Sequence, residues 1–275
     1  MDPTYFRVKW LSLTIILLLT TLSLSCTSDS FPTAARGSFI KVQNENQFEV
    51  CNKRNECTIV EDLIVGSQGS GAVIATNSIG VFILTAEHVC RKMDNKIVQI
   101  FGNMLIPQKI RKKKKIRIKK EMHVHTFMGD ESIADIVATD EELDACILFA
   151  KRLSAKPLKR YYGELDVGEK YYNIASPLGV SEAKFVPLLE GRFLGNYTRF
   201  TTSFSIPAAP GSSGSPIIDG RGRLVGVLHS VIRGFHHITF ASDITLLNHF
   251  IDDNITDYYD SWHRNMLELT RPKTN

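Results

Sequence analysis

The sequence predicts an all-β protein in two halves with a C-terminal helix, and three observations lead to that fold class. From Ser38 to Ser242 the chain breaks into short apolar runs separated by turn residues, with few long segments of helical period. Between Lys151 and Gly168 the apolar alternation is lost, as expected of a segment crossing between two halves. Beyond Ser242, Ile244, Leu246, Leu247, Phe250 and Ile251 recur at helical spacing. The runs do not alternate with helices, which excludes a doubly wound α/β sheet.

Taken in order, residues 1–25 read as a signal peptide or an uncleaved membrane anchor. Arg7 and Lys9 precede an apolar stretch from Trp10 to Ser25 that is too short and too rich in Ser and Thr for a comfortable span. Ser23 and Ser25 stand where a signal peptidase prefers small residues. Cys26 follows at once and leaves lipidation open, although a lipoprotein signal usually has a branched apolar residue in place of Ser23. Residues 26–37, with Pro32 and Gly37, form a linker. The first half, 38–155, holds the candidate strands SFIKV, FEVC, GSGAVIAT, GVFILTA, IVQIF and DACILFA. The second, 156–243, holds YYNIAS, PIID, RLVGVLHS and HITFAS, and a helix with a polar tail over 244–275 packs on it.

With 275 residues, 43% of them hydrophobic, the chain can fill one or two cores. A net charge of only +4 excludes a protein that coats nucleic acid through overall charge. The basic excess is local. Lys109 to Lys120 reads KIRKKKKIRIKK, centred on Lys112, Lys113, Lys114 and Lys115. One reading is a strand hairpin with solvated lysines; the other is docking to an anionic membrane surface or an acidic protein. Nucleic acid is disfavoured, because the run contains no aromatic residue on which bases stack. His123 and His125, just beyond, read as strand residues rather than metal ligands. Of five cysteines, Cys51 and Cys57 bracket the polar loop NKRNE and suggest a small closed ring. Cys90 and Cys146 leave a disulfide and two buried thiols equally open.

Three segments carry chemistry. In Pro210-Gly211-Ser212-Ser213-Gly214-Ser215, a serine between glycines opens an apolar strand. An acyl-transfer nucleophile needs such a tight turn, where the N–H groups of Gly211 and Ser213 converge on a developing oxyanion. His88 ends the apolar strand Ile83-Leu84-Thr85-Ala86, where it can face a cleft as a general base. Asp144 directly enters the strand Ala145-Cys146-Ile147-Leu148 and can accept the histidine's second N–H, while Asp140, Glu141 and Glu142 belong to a solvated turn.

These segments, in the order His, Asp, Ser, resemble the trypsin-like serine peptidase family, in its HtrA-like and glutamyl-endopeptidase-like branches. Gly69 to Ile74 is similar to that family's strand before the histidine, and Ala175 to Gly179 and Leu224 to Val227 to segments of its second barrel. The resemblance runs from about Ser38 to Ser242 and implies two six-stranded β-barrels. His88 and Asp144 then come from the first and Ser213 from the second, with no metal or cofactor. It implies an endopeptidase acting on proteins or peptides, exported if residues 1–25 are read as above; the alternative is a catalytically silent fold of this type serving as a binding or scaffold protein. No appended PDZ module is expected after Ser242, and the resemblance does not fix an oligomeric state. It places Ala208, Leu228, His229 and Ser230 around the substrate side chain. The wall Ile206-Pro207-Ala208-Ala209 is uncharged, and a glutamate-specific relative would have its histidine at Leu228 instead of His229. Small or medium apolar side chains are therefore expected in the pocket.

Overall fold

Two runs, GVFILT and ACILFA, are apolar at nearly every position instead of at alternate ones, the pattern of a strand buried on both faces. The computed structural model describes residues 31–270 except 53, 92–95, 97–99, 101–103, 105–114 and 233. In it, β1 (Phe39–Cys51), β2 (Cys57–Thr76), β3 (Gly80–Thr85), β4 (Lys115–Thr126), β5 (Glu131–Asp140) and β6 (Ala145–Lys151) close a barrel of order β1-β2-β3-β6-β5-β4. Val81 and Ile83 of β3 and Cys146 and Leu148 of β6 share one core with Ile40, Val42 and Val124. Their neighbours Phe82, Leu84, Ile147 and Phe149 join a second core with Ile218, Leu224, Val227, Ile244 and Leu247. Each strand therefore fills its own barrel on one side and packs outside it on the other.

The second barrel follows the crossing segment, which contributes the short β7 (Lys159–Arg160). Its strands are β8 (Lys170–Ile174), β9 (Leu188–Asn196), β10 (Thr201–Phe204), β11 (Pro216–Ile218), β12 (Arg223–Ile232) and β13 (Phe235–Ser242). They run in the order β11-β8-β9-β10-β13-β12, a β11–β12 pairing closes the ring, and β7 adds in parallel to β12. Tyr171, Phe193 and Phe204 fill the interior with Ile206, Ile217 and Val225. Their rings lie 5.4 to 6.4 Å apart. Side chains of this size are each worth about 1.5–3 kcal/mol when fully buried. Two six-stranded barrels and a C-terminal helix, as expected, make up the fold.

Helices are few among the described residues. The expected linker is helical in its described part, as α1 (Phe31–Ala34) and a 3-10 turn (Ala35–Ser38). One turn, α2 (Glu87–Cys90), follows β3, and α3 (Ile244–Thr270) ends the described chain. Asp243 caps α3, its Oδ1 accepting from the N–H groups of Thr245 at 2.9 Å and Leu246 at 3.1 Å. The apolar stripe of α3 begins as the spacing predicts, but the helix does not rest on the second barrel alone. Tyr258 packs on Phe82 and Phe149 of the first barrel at 5.3 and 5.2 Å, so α3 bridges both halves. No described helix is long and apolar enough to cross a membrane.

The expected strand IVQIF lies outside the described residues apart from Ile100, which is helical. Lys112, Lys113 and Lys114, like residues 1–30, also fall outside. From Lys115 onward the basic run is strand β4, paired with β1 from Cys51↔Lys115 to Ile40↔Thr126. Part of its charge is met locally: Lys119 pairs with Glu121 at 2.8 Å, while Arg117, in register with Glu49, donates to Asn55 Oδ1 at 3.3 Å. His123 and His125 are β4 residues, and the Nδ1 of His123 lies 2.9 Å from Glu131. Disulfides join Cys51 to Cys57 at the tip of the β1–β2 hairpin, and Cys90 to Cys146. Glu49, Cys51 and Cys57 cluster closely enough to suggest metal ligands, but both thiols are taken up by the disulfide.

Candidate active site

His88 owes its position to the abrupt end of β3. After Thr85, the extended and buried Ala86 leads into α2, and this single turn is pinned by Glu87, whose buried carboxylate pairs with Arg91 at 2.6 Å. Asp144 arrives from a tight turn built by Asp140, whose Oδ1 accepts from the N–H groups of Glu142 at 2.9 Å and Leu143 at 3.0 Å. The expected solvated acid is thus a turn former. Asp144 itself has φ +47, a left-handed conformation that Asp tolerates better than most residues.

The two side chains meet twice. The His88 N–H donates to Asp144 Oδ1 at 3.0 Å, and the ring Nδ1 lies 2.8 Å from Oδ2. The bidentate contact fixes the ring plane and leaves Nε2 as the outward nitrogen. The His88 side chain is 41% exposed and that of Asp144 25%, so the imidazole is reachable while the carboxylate behind it is shielded. Burial pushes the Asp144 carboxyl up, but the hydrogen bonds from the ring and backbone of His88, with the fields of His88 and His229, outweigh it and hold the group below its ordinary value. It is accordingly a carboxylate at neutral pH.

Ser213 sits on a turn that rests directly on the first barrel. Gly214 has φ +83, and a Cβ there would collide with Ser70 and Thr85 and come within 2.8 Å of the Ala86 nitrogen. Gly69 forms a wall shared by the histidine and the serine: its Cβ would meet the Val89 side chain at 2.6 Å and the Ser213 carbonyl at 2.8 Å. Within the turn, Ser212 N–H donates to Ala209 O at 2.9 Å and Gly214 N–H to Leu228 O at 2.7 Å. Among the described residues, the N–H groups of Gly211 and Ser213 donate to no protein acceptor. Gly211 has φ +94, and a Cβ would stand 2.5 Å from the Ser176 carbonyl, so this position requires glycine.

The proposed pocket residues separate into two kinds. Ala208 and Leu228 are buried in the core of the second barrel. His229 is half-buried and Ser230 exposed, with the Ser230 hydroxyl 3.0 Å from His229 Nδ1. A bulge in the β12–β13 pairing falls at His229. Burial lowers the His229 pKa, and His88 lowers it further, against the pull of Asp144. His229 therefore faces the electrostatic field of both. Sequence reasoning gave no site role to Ser70 and Leu178, which hold the turn of Ser213 from outside, or to Ser176, which donates to the Ser70 hydroxyl. Their signal is a set of long-range hydrogen bonds that no local pattern encodes.

A family model described as trypsin-like peptidase domain matches residues 69–227. The fold is similar to the crystal structure of the serine endoprotease from Yersinia pestis, with 17% identity over 83% of this chain and 67% of that one and a TM-score of 0.57. It is similar to the active form of the Rv3671c protease from M. tuberculosis, with 17% identity, 78% of each chain covered and a TM-score of 0.53. It also resembles the inactive form of a mutant of Rv3671c from M. tuberculosis H37Rv, with 15% identity over 85% of this chain and 94% of that one and a TM-score of 0.55. At these identities the likeness concerns the fold. No curated protein matches the chain in sequence.

Proposed function

The chain belongs to the trypsin-like peptidase family, and from that premise we propose that it is an exported serine endopeptidase in which Ser213 attacks, His88 transfers protons and Asp144 orients His88. The observation that carries this reading is the double hydrogen bond from His88 to Asp144, which leaves Nε2 free to act as a base. His88 Nε2 takes the proton as Ser213 Oγ attacks a peptide carbonyl. The oxyanion is received by the N–H groups of Gly211 and Ser213, whose freedom from protein acceptors supports that role. His88 then protonates the leaving amine, and water releases the acyl group by the same steps in reverse order of partners.

A fluorophosphonate probe should label the folded wild type at Ser213 and leave Ser213→Ala unlabelled, as read by mass spectrometry of the labelled peptide. Labelling that persists in Ser213→Ala would refute the nucleophile. Absence of labelling in well-folded wild type would favour a binding or scaffold protein. Substrates are proteins or peptides, with small or medium apolar side chains before the cleaved bond; the uncharged wall Ile206-Pro207-Ala208-Ala209 supports that preference.

Export is supported by the basic and apolar start of the sequence and by two disulfides, which persist in oxidising compartments. The lysines from Lys112 to Lys115, which precede and open strand β4 in sequence, are proposed to dock on an anionic surface. Vesicles containing phosphatidylserine should bind the protein at low ionic strength and release it above about 0.5 M salt, where screening lengths fall to a few ångströms. Salt-insensitive binding would remove the electrostatic basis.

A further inference from the structure

Ser70 belongs to β2 of the first barrel and is fully buried, yet its polar groups serve the second barrel. Its N–H donates to Ser213 O at 2.7 Å. Its hydroxyl donates to Gly211 O at 2.8 Å and accepts from Ser176 N–H at 3.0 Å. Its own carbonyl accepts from Thr85 Oγ1 at 2.7 Å, tying it to the strand that ends just before His88. One residue thus holds the carbonyls of both residues whose N–H groups face the oxyanion in the reading above.

The effect on Gly211 follows from peptide planarity. The carbonyl of Pro210 accepts from Leu178 N–H at 2.6 Å. In a trans peptide the N–H points opposite to the C=O, so anchoring Pro210 O turns the Gly211 N–H the other way. The next peptide is fixed at Gly211 O by the Ser70 hydroxyl. Glycine at φ +94 has no side chain to restrict it, so these two bonds, one on each side of its Cα, set its conformation. Removing the Ser70 hydroxyl frees one side and also leaves Ser176 N–H without that partner.

We propose that Ser70 is a positioning residue whose hydroxyl, supplied by the first barrel, locks Gly211 in the conformation that receives the oxyanion. The proposal rests on the peptidase reading of the site. It makes assembly of the oxyanion turn depend on docking of the two barrels through Ser70, whose N–H holds Ser213 O and whose hydroxyl holds Gly211 O. Loss of one oxyanion donor costs about 10²–10³ in kcat, and a donor that is merely loosened should cost about tenfold or more.

The test compares full-length wild type, Ser70→Ala and Ser181→Ala on a peptide substrate, with affinities for a peptide aldehyde and for a cleaved product peptide. Ser181→Ala deletes the 2.8 Å contact between the Ser181 and Ser176 hydroxyls, a buried bond of the same neighbourhood that does not touch Gly211. Ser70→Ala should lower kcat about tenfold or more with KM nearly unchanged. Aldehyde affinity should fall in step, because its adduct carries the oxyanion, while product affinity holds. Ser181→Ala should retain wild-type kcat. If Ser70→Ala does not fold, Ser70→Cys, close in size and a weak donor, reads the same loss. Wild-type kcat in a folded Ser70 variant, or an equal kcat loss in Ser181→Ala, overturns the positioning role while leaving the peptidase reading intact. An inactive, unlabelled wild type overturns both.

Discussion

Asp144→Asn should lower kcat about ten-thousandfold while the chain stays folded, a magnitude seen when a triad carboxylate is replaced by its amide. The reason lies in which proton each nitrogen carries. With Asp144 ionised, Oδ2 accepts from His88 Nδ1–H, so Nε2 keeps a lone pair, available in the proposed mechanism for the serine proton. An amide nitrogen at that place donates instead and favours the tautomer with hydrogen on Nε2, which cannot act as base. The second contact survives, because the amide oxygen still accepts from the His88 backbone N–H. The ring remains in place, and KM should stay within a few-fold. Unchanged turnover on a peptide substrate would show that another acid serves His88.

The same replacement alters the acid side of stability. Asp144 is held below its ordinary value in the folded protein. A depressed carboxylate contributes stability that is fully present above its unfolded pKa of about 3.9 and is lost as pH falls through the folded value. Asp144→Asn should therefore remove part of the steepness of acid unfolding below about pH 4. Its stability at neutral pH should be lower than that of wild type. Urea midpoints measured at pH 3 and pH 7 in both proteins would reveal this convergence.

How much of this was legible in the sequence depends on what each residue contacts. GVFILT and ACILFA could be read as strands because burial on two faces leaves them apolar throughout. Strand β5 was hidden, since only Ala134 among its residues is fully buried, and the four residues of β10 are too few for alternation to register. SFIKV and FEVC appeared as two strands because the polar Asn44 and Asn46 stand between them. In the structure both are buried within one continuous β1, and Asn44 donates to the carbonyls of Val89 and Arg91 next to the histidine turn. The pairing of His88 with Asp144 could be inferred, because both stand at strand mouths. The role of Ser70 could not: GSGAVIAT reads as a strand, but nothing local marks its serine, whose partner Gly211 lies 141 residues away. Helical spacing likewise identified the apolar face of α3, but not that Tyr258 would carry it onto the first barrel.

Replacing both Cys90 and Cys146 by Ser should cost about 4 kcal/mol of stability, the largest loss expected from removing one linkage in this protein. The bond joins positions 56 residues apart, and the chain-entropy relation for a closed loop of that length gives this magnitude. The Cys51–Cys57 ring has a separation of only 6, and the same relation gives about 2 kcal/mol. The two bonds also differ in what they secure. Cys90 ends the helical turn that carries His88, and Cys146 stands in β6 two residues beyond Asp144. Both cysteines are fully buried in the first barrel's core, so the bond fastens the segments of His88 and Asp144 to one another from behind. Its loss should lower the denaturant midpoint and reduce kcat together, whereas Cys51→Ser with Cys57→Ser should reduce stability less and leave kcat near wild type. Equal costs for the two pairs would contradict the loop-length ranking. An intact kcat in the folded double variant Cys90→Ser with Cys146→Ser would show that packing alone holds His88 against Asp144.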